Sequence, residues 1–415
     1  NEISLKIKGK GIENIINQGF SGGFPNEIIC NEIYNNKQCK FINEENIVIM
    51  RWNKQLTDCG NMFYNCKNII EIDLSKFDTS KVREMRWMFD YCDSLIYIKL
   101  DNLDTSQVTQ MNSMFFGCSK LTSIDLSNLN SNNVLNRINS MFKNCISLRY
   151  INFTNFDSSH INRMDELFSG CTSLESIDLS TFSFSSITNL DNMFYSCNNL
   201  KYINLKNANK QTGFTINNIF NGIPINIVFC FEEQNVPLLY RTIKTKICAI
   251  HYCSDNWKEV QLKIIDGRNN CVNNCSNYTS TLYELDNKCY FTCPSSYISR
   301  PDINKCLCQI ENCSLCSAES LQNNLCISCN NYDGYYQKYE DNKKFIECYK
   351  KIDGYYLEGN FFKSCYFTCE ICDESGNYTY HHCKKCKHEY YIEMIFEDFI
   401  NCYDECPRSE ERRVG

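Results

Sequence analysis

Residues 82–103 read VREMRWMFDYCDSLIYIKLDNL, and two periodicities meet inside them. Val82, Met85, Met88, Phe89 and Cys92 recur at steps of three and four, the spacing of one face of a short helix. Ile98 and Leu100 alternate with Tyr97 and Lys99, which is the pattern of a strand. The same signature recurs on both sides. Met-Phe-x-x-Cys opens at Met62, Met88, Met114, Met141 and Met193, and Leu-Phe-x-x-Cys opens at Leu167. The cysteines step from Cys66 through Cys92, Cys118, Cys145 and Cys171 to Cys197 by 26, 26, 27, 26 and 26 residues, and Ile219-Phe220 starts a degraded seventh copy. One such unit cannot bury its apolar face alone, whereas stacked units share a continuous core with parallel strands ~4.8 Å apart. The expected fold is therefore an α/β repeat solenoid built on a parallel strand stack. Asp78, Asp104 and Asp157, each followed within two residues by Ser or Thr, are placed to cap the turns after the strands.

Three motifs in combination carry a family resemblance: Leu-Thr-Ser-Ile-Asp-Leu-Ser-Asn-Leu (121–129), Phe-Asp-Thr-Ser-Lys-Val (77–82) and Met-x-x-Met-Phe-x-x-Cys. Over about 57–223 the chain resembles the BspA-like leucine-rich repeats of surface proteins in bacteria and microbial eukaryotes. The resemblance implies a leucine-rich-repeat-like solenoid, cell-surface adhesion or interaction, and no catalysis. Open solenoid ends would template pairing with other chains, so caps are expected at 1–56 and 224–265. In the first, Ile3, Leu5 and Ile7 alternate, 26–33 reads as a further strand, and Cys30 and Cys39 bracket a loop of eight residues suited to a disulfide. In the second, a strand over 225–231 precedes a short helix after Pro237, and Cys230, Cys248 and Cys253 offer one bridge and one remaining thiol.

Thirty cysteines in 415 residues point to an oxidising compartment. Their distribution is uneven: 18 fall in the 136 residues from Cys271 to Cys406, about 13 %, above the ~8–10 % that marks a disulfide scaffold. A polar stretch at 266–270 separates this C-terminal disulfide-rich, small-β, rod-like region (266–415) from the repeats. Upstream, the six equivalent cysteines at one repeat position, and Cys59 in the slot of Met85 and Met111, read as buried free thiols. Parallel side chains from stacked copies do not converge for a disulfide, and a single file of sulfurs cannot surround a metal.

Within the rod, Cys308, Cys313, Cys316, Cys326, Cys329 and Cys348 are echoed by Cys365, Cys369, Cys372, Cys383, Cys386 and Cys402, with Tyr335-Tyr336 and Tyr390-Tyr391 after the C-x-x-C couples. Two C-x-x-C couples also suit zinc, but two further cysteines per unit favour disulfides. With Cys-x3-Cys-Pro at 289–294 and 402–407, the region 271–407 resembles furin-like or growth-factor-receptor cysteine-rich repeats. That resemblance implies a first-to-third, second-to-fourth interlock, giving Cys313–Cys326, Cys316–Cys329, Cys369–Cys383 and Cys372–Cys386, with Cys348–Cys365 as a separate loop. Cys406 is left for a partner beyond this chain.

Lys+Arg 42 against Asp+Glu 49 gives a net charge of -7 and no basic block, which argues against nucleic acid as a partner. No apolar run reaches the ~18 residues of a membrane span. The chain begins at Asn1 without Met, as a mature product or a piece of something longer would. Sequons at Asn152, Asn274, Asn277, Asn312 and Asn377 are no more numerous than chance predicts, and Asn277 and Asn377 are preferred because Asn274 and Asn312 adjoin cysteines. Neither a nucleophile motif nor a phosphate loop nor an H-E-x-x-H helix occurs, so no enzyme activity, metal or cofactor is expected. Strand alternation sends two stripes outward, Glu71, Tyr97, Ser123, Tyr150, Ser176 and Tyr202, and Asp73, Lys99, Asp125, Asn152, Asp178 and Asn204. Tyr97, Tyr150 and Tyr202 are candidate contact residues for a protein or glycan partner, while Lys99 interrupts the second stripe and argues against calcium. The expected role is extracellular or cell-surface adhesion, with a structural filament or coat subunit as the rival.

Overall fold

The structure is a computed structural model that describes residues 1–403 apart from 102, 128, 130–134, 157, 210, 211, 267, 269, 276–282, 302, 303, 332, 333, 339–344, 359, 360, 366, 367, 374–381, 388–390 and 396–399. The chain divides into two compact units, Asn1–Asn273 and Asn274–Gly415.

The first unit is the solenoid. Short strands at Ile69–Asp73, Tyr97–Lys99, Ser123–Asp125, Tyr150–Asn152, Ser176–Asp178, Tyr202–Asn204, Val228–Cys230 and Ile250–His251 recur at equivalent repeat positions. Where they pair they run parallel with like opposite like, as Ile72 with Ile98 and Ile177 with Ile203. A second ladder of single-residue parallel bridges runs Asp58, Glu84, Gln110, Arg137, Arg163, Asn189, Thr215. A third line of backbone bonds joins each motif Phe to the following repeat, as from Phe63 N–H to the Met88 carbonyl and from Phe89 N–H to the Met114 carbonyl.

The segment whose apolar residues recur at three and four is a series of turns, not a helix. The reason lies in the backbone. Two residues per repeat, four apart, take left-handed φ: Asn61 and Asn65, Trp87 and Tyr91, Ser113 and Gly117, Ser140 and Asn144, Glu166 and Gly170, Asn192 and Ser196, Asn218 and Gly222. Left-handed residues break an α-helix, yet they keep the inward spacing that mimics one. The motif residues nonetheless face inward, as their spacing requires. Phe63, Phe89, Phe115, Phe142, Phe168 and Phe194 are all fully buried. They stack in a file with Phe220, ring centroids 5.2–6.0 Å apart.

The N-terminal cap extends the sheet with antiparallel strands. Glu2–Lys8 pairs with Ile69–Asp73 on one side and with Glu45–Arg51 on the other, burying Ile3, Leu5 and Ile7. Residues 26–33 contain two short strands, Glu27–Ile29 and the start of Glu32–Asn35, and Cys30 bonds Cys39. At the other end Val228–Cys230 and Ile250–His251 continue the parallel stack, and the helix Pro237–Lys244 buries Leu239 and Ile243 against it. Cys230 bonds Cys253, and Cys248 reaches forward to Cys271.

The second unit has a different kind of interior. Its two described clusters are made mostly of cysteine: Cys308, Cys313, Cys316, Cys326, Cys329 and Cys348 with Ile346, and Cys365, Cys369, Cys372, Cys383 and Cys402 with Tyr356. Each is organised by short antiparallel pairs, Cys313–Leu315 with Ser328–Cys329 and Cys369–Cys372 with Cys383–Cys386.

Candidate functional site

Seven thiols of the repeats, Cys59, Cys66, Cys92, Cys118, Cys145, Cys171 and Cys197, are free and buried. Each from Cys92 onward donates its S–H to the carbonyl of the motif Phe one repeat back: Cys92 to Phe63 at 3.1 Å, Cys118 to Phe89 at 3.1 Å, Cys145 to Phe115 at 3.0 Å, Cys171 to Phe142 at 3.0 Å and Cys197 to Phe168 at 3.1 Å. The position needs a small, nearly apolar side chain that still offers a proton. Burial pushes all of these thiols well above their ordinary pKa, Cys197 to about 12. They are structural groups without thiolate character.

The disulfides of the second unit correct the expected pairing. Cys313–Cys326 and Cys369–Cys383 are formed. Cys316 bonds Cys308 instead of Cys329, Cys329 bonds Cys348, Cys372 bonds Cys365 instead of Cys386, and Cys386 bonds Cys402. The Cys348–Cys365 link is therefore absent, and each six-cysteine unit closes on itself as first to third, second to fourth, fifth to sixth. The implied interlock holds, but its frame begins one cysteine earlier than expected. Local bonds account for the frame. Cys316 N–H donates to the Tyr297 hydroxyl, and Tyr297 lies opposite Cys308 in an antiparallel pair. Asn312 Nδ2 donates to the Cys348 carbonyl while the Asn312 carbonyl accepts from Asn330, which draws Cys348 to Cys329. Gly354 accepts from Cys365 and donates to Glu370, which brings Cys365 to the strand of Cys372. Upstream, Cys275 bonds Cys289 and Cys293 bonds Cys306.

Among the sequons, Asn277 and Asn377 lie outside the described residues, and Asn274 is exposed. Asn312 is half-buried with its amide nitrogen committed to Cys348. Asn152 has a structural explanation. Its Oδ1 accepts the Thr154 N–H at 3.0 Å, as Asp73 accepts Ser75, Asp125 accepts Ser127, Asp178 accepts Ser180 and Asn204 accepts Lys206. The sequon is one copy of the turn that ends each strand. Asp78 and Asp104 make the equivalent bonds to Ser80 and Ser106 one bend later, and Asp157 lies outside the described residues.

The tyrosine stripe follows strand alternation only in part. Tyr97 is 47 % exposed and Tyr150 37 % exposed. Tyr202 is not on the open face: its hydroxyl donates to the Val260 carbonyl at 3.1 Å and its ring meets Trp257 edge-on at 6.2 Å. Burial raises its phenol pKa. Residues 254–263 cross the sheet there as a strap, pinned also by Asn226 Nδ2 to the Lys263 carbonyl. Strand alternation cannot reveal a later segment folding back over it; Trp257, an apolar residue amid Ser254, Asp255 and Lys258, was the available signal. Beside the strap opens a cleft of about 400 Å³. Glu232, His251 and Cys253 also converge nearby, but the Cys253 sulfur is held in its bridge to Cys230 and offers no thiolate to a metal.

These features define a β-solenoid repeat protein whose second unit is held by disulfides. The family model described as "Mycoplasma protein of unknown function, DUF285" matches residues 57–151 and 135–225, the repeats themselves. Cysteine repeat modular protein 2 of Tetrahymena thermophila is 28 % identical over 188 residues, covering 42 % of this chain and 9 % of that protein. The chain thus spans less than a tenth of that relative's length. No solved structure matches it. No helix among the described residues is long and apolar enough to cross a membrane.

Proposed function

We propose that this chain is a non-catalytic extracellular or cell-surface protein that binds a protein or glycan partner through the outward face of its solenoid sheet. The observation that carries the reading is the pair Tyr97 and Tyr150, exposed on the same stripe of a stacked sheet two repeats apart. Tyrosine offers rigid, half-apolar contact area at small entropic cost. Eleven disulfides among the described residues support an oxidising location. The resemblance to BspA-like repeats supports adhesion. Replacing Tyr97 and Tyr150 by Ser is expected to abolish retention on immobilised extracellular-matrix proteins or glycans while shifting stability within about 0.5 kcal/mol. Unchanged retention of the folded variant would reject this face.

One observation favours the filament or coat reading. The N-terminal cap exposes Ile33, Tyr34, Ile42 and Ile47 at 54–67 %. In that case sedimentation would show concentration-dependent assembly that Ile33→Ser with Ile42→Ser disrupts and the tyrosine pair does not.

A further inference from the structure

The cleft beside the strap has a chemistry that the tyrosine stripe lacks. Its floor is the strand-end ladder, where Asp178 and Asn204 are register partners on adjacent parallel strands. Both use one oxygen to cap their own turn, through the N–H of Ser180 and of Lys206. Asn204 is 6 % exposed. Its Oδ1 is spent on that cap, its Nδ2 has no protein acceptor among the described residues, and the residue lines the cleft. The second oxygen of Asp178 is likewise uncommitted. Lys206, in the turn that Asn204 caps, and Asp255, in the strap, add an ammonium and a carboxylate to the lining, neither in an ion pair among the described residues. The largely buried Trp257 and Cys230–Cys253 disulfide contribute a smaller apolar border.

We infer that this cleft binds a neutral hexopyranoside. The lining sets Asp178 and Asp255 against Lys206, so it disfavours an anion, and a cation could pair with the carboxylates only with Lys206 as a like-charged neighbour. A polyol uses both sets, because each hydroxyl can donate to a carboxylate and accept from the amide or the ammonium. The volume lies within the range of small-molecule sites. The inference deepens the proposed surface-binding role by naming a ligand class, but it uses none of the stripe tyrosines, so the two fail separately. For a ligand of this size in an open polar cleft the expected dissociation constant is on the order of millimolar.

The repeats themselves supply the test variants, since Asp and Asn both occupy this capping position elsewhere in the ladder. Asn204→Asp keeps the cap oxygen and removes the donor; Asp178→Asn keeps the cap and removes the carboxylate. The full chain is titrated with methyl β-glucoside, methyl β-galactoside and methyl α-mannoside under saturation-transfer NMR, with N-acetyl-lysine methyl ester as the cationic comparison and the melting curve as the fold check. The expected result is saturable transfer to at least one glycoside, weakened about tenfold or more by each substitution. The Tyr97→Ser, Tyr150→Ser chain should keep that binding. No saturable glycoside signal, or one indifferent to both substitutions, overturns the assignment. So does tighter binding of the lysine ester to the Asn204→Asp chain, which would make the cleft a cation site. Should either variant melt early, Lys206→Met and Asp255→Asn, both at exposed wall residues, must weaken the same signal or the assignment falls.

Discussion

Cysteine does opposite work in the two units. In the solenoid, equivalent cysteines stand in register on stacked turns, and each sulfur from Cys92 onward is aimed at a backbone carbonyl of the preceding repeat at 3.0–3.1 Å. In the second unit, hairpins and their turns gather cysteines of unlike position, which bond off the strand register: Cys313 faces Cys329 but bonds Cys326, and Cys369 faces Cys386 but bonds Cys383. Eight bridges form there among the described residues. The difference is one of topology. Parallel stacking keeps like side chains parallel, whereas hairpins let their Cβ vectors converge. Energetics follow from it. The solenoid has an apolar core running from the N-terminal cap through every repeat, while the second unit's clusters are built largely from the bridges themselves.

The sharpest way to break this comparison is reduction. At ~2–4 kcal/mol per bridge, loss of the second unit's disulfides exceeds what its small clusters can offset. Dithiothreitol is expected to make 274–402 protease-sensitive while 57–225 stays resistant and its seven thiols stay closed to iodoacetamide until denaturant is added. Cooperative loss of both units at the same reductant concentration would show that the solenoid also depends on bridges.

Next in size is Phe89→Ala. The ring is fully buried between Phe63 at 5.6 Å and Phe115 at 5.2 Å. Its loss removes burial and two stacking contacts and is expected to cost about 3–5 kcal/mol by denaturant melts. A cost below about 1 kcal/mol would mean that the file is not the source of solenoid stability. Cys118→Ala sharpens the point at smaller scale. The Phe89 carbonyl keeps the Cys92 N–H when the thiol is removed, so the expected cost is about 1–2 kcal/mol, from a weak bond and a small void.

How far the sequence could be read divides along the same line. The repeat, its inward residues and the free thiols were legible because a solenoid imposes one environment on every copy, so the pattern is stated six times over. Trp87 and Tyr91 were not legible as left-handed residues, since bulky side chains give no sign of positive φ where Asn and Gly in other copies do. The bridge frame was hidden because the spacing of Cys313 to Cys329 fits a self-contained interlock as well as one that starts at Cys308. Of the candidate site, Tyr97 and Tyr150 followed from alternation, while the burial of Tyr202 and the cleft depend on a strap some fifty residues downstream.

The smallest effect tests whether the solenoid core tolerates charge. Asp90 is 6 % exposed, its Oδ1 has no hydrogen-bond partner among the described residues, and burial pushes its carboxyl up to about 7. The thiols of Cys92, Cys118 and Cys145 all feel its charge. The folded value lies above the ~3.9 of an unfolded Asp, so the folded state holds this proton more tightly. Its stabilising contribution is complete below about pH 4 and is lost as pH rises through about 7. Glu2 and Asp78, held below the ordinary carboxylate range chiefly by side-chain bonds from Arg51 and Ser80, act in the opposite direction, so the informative quantity is the difference between variant and wild type. Asp90→Asn keeps the shape and removes the charge. Its melting temperature is expected to match wild type near pH 4 and to exceed it near pH 8 by roughly 2–4 °C, about 1 kcal/mol. A difference that is flat across that range would mean Asp90 is solvated in the folded chain, and the solenoid interior would then be less dry at this repeat than its phenylalanine file implies.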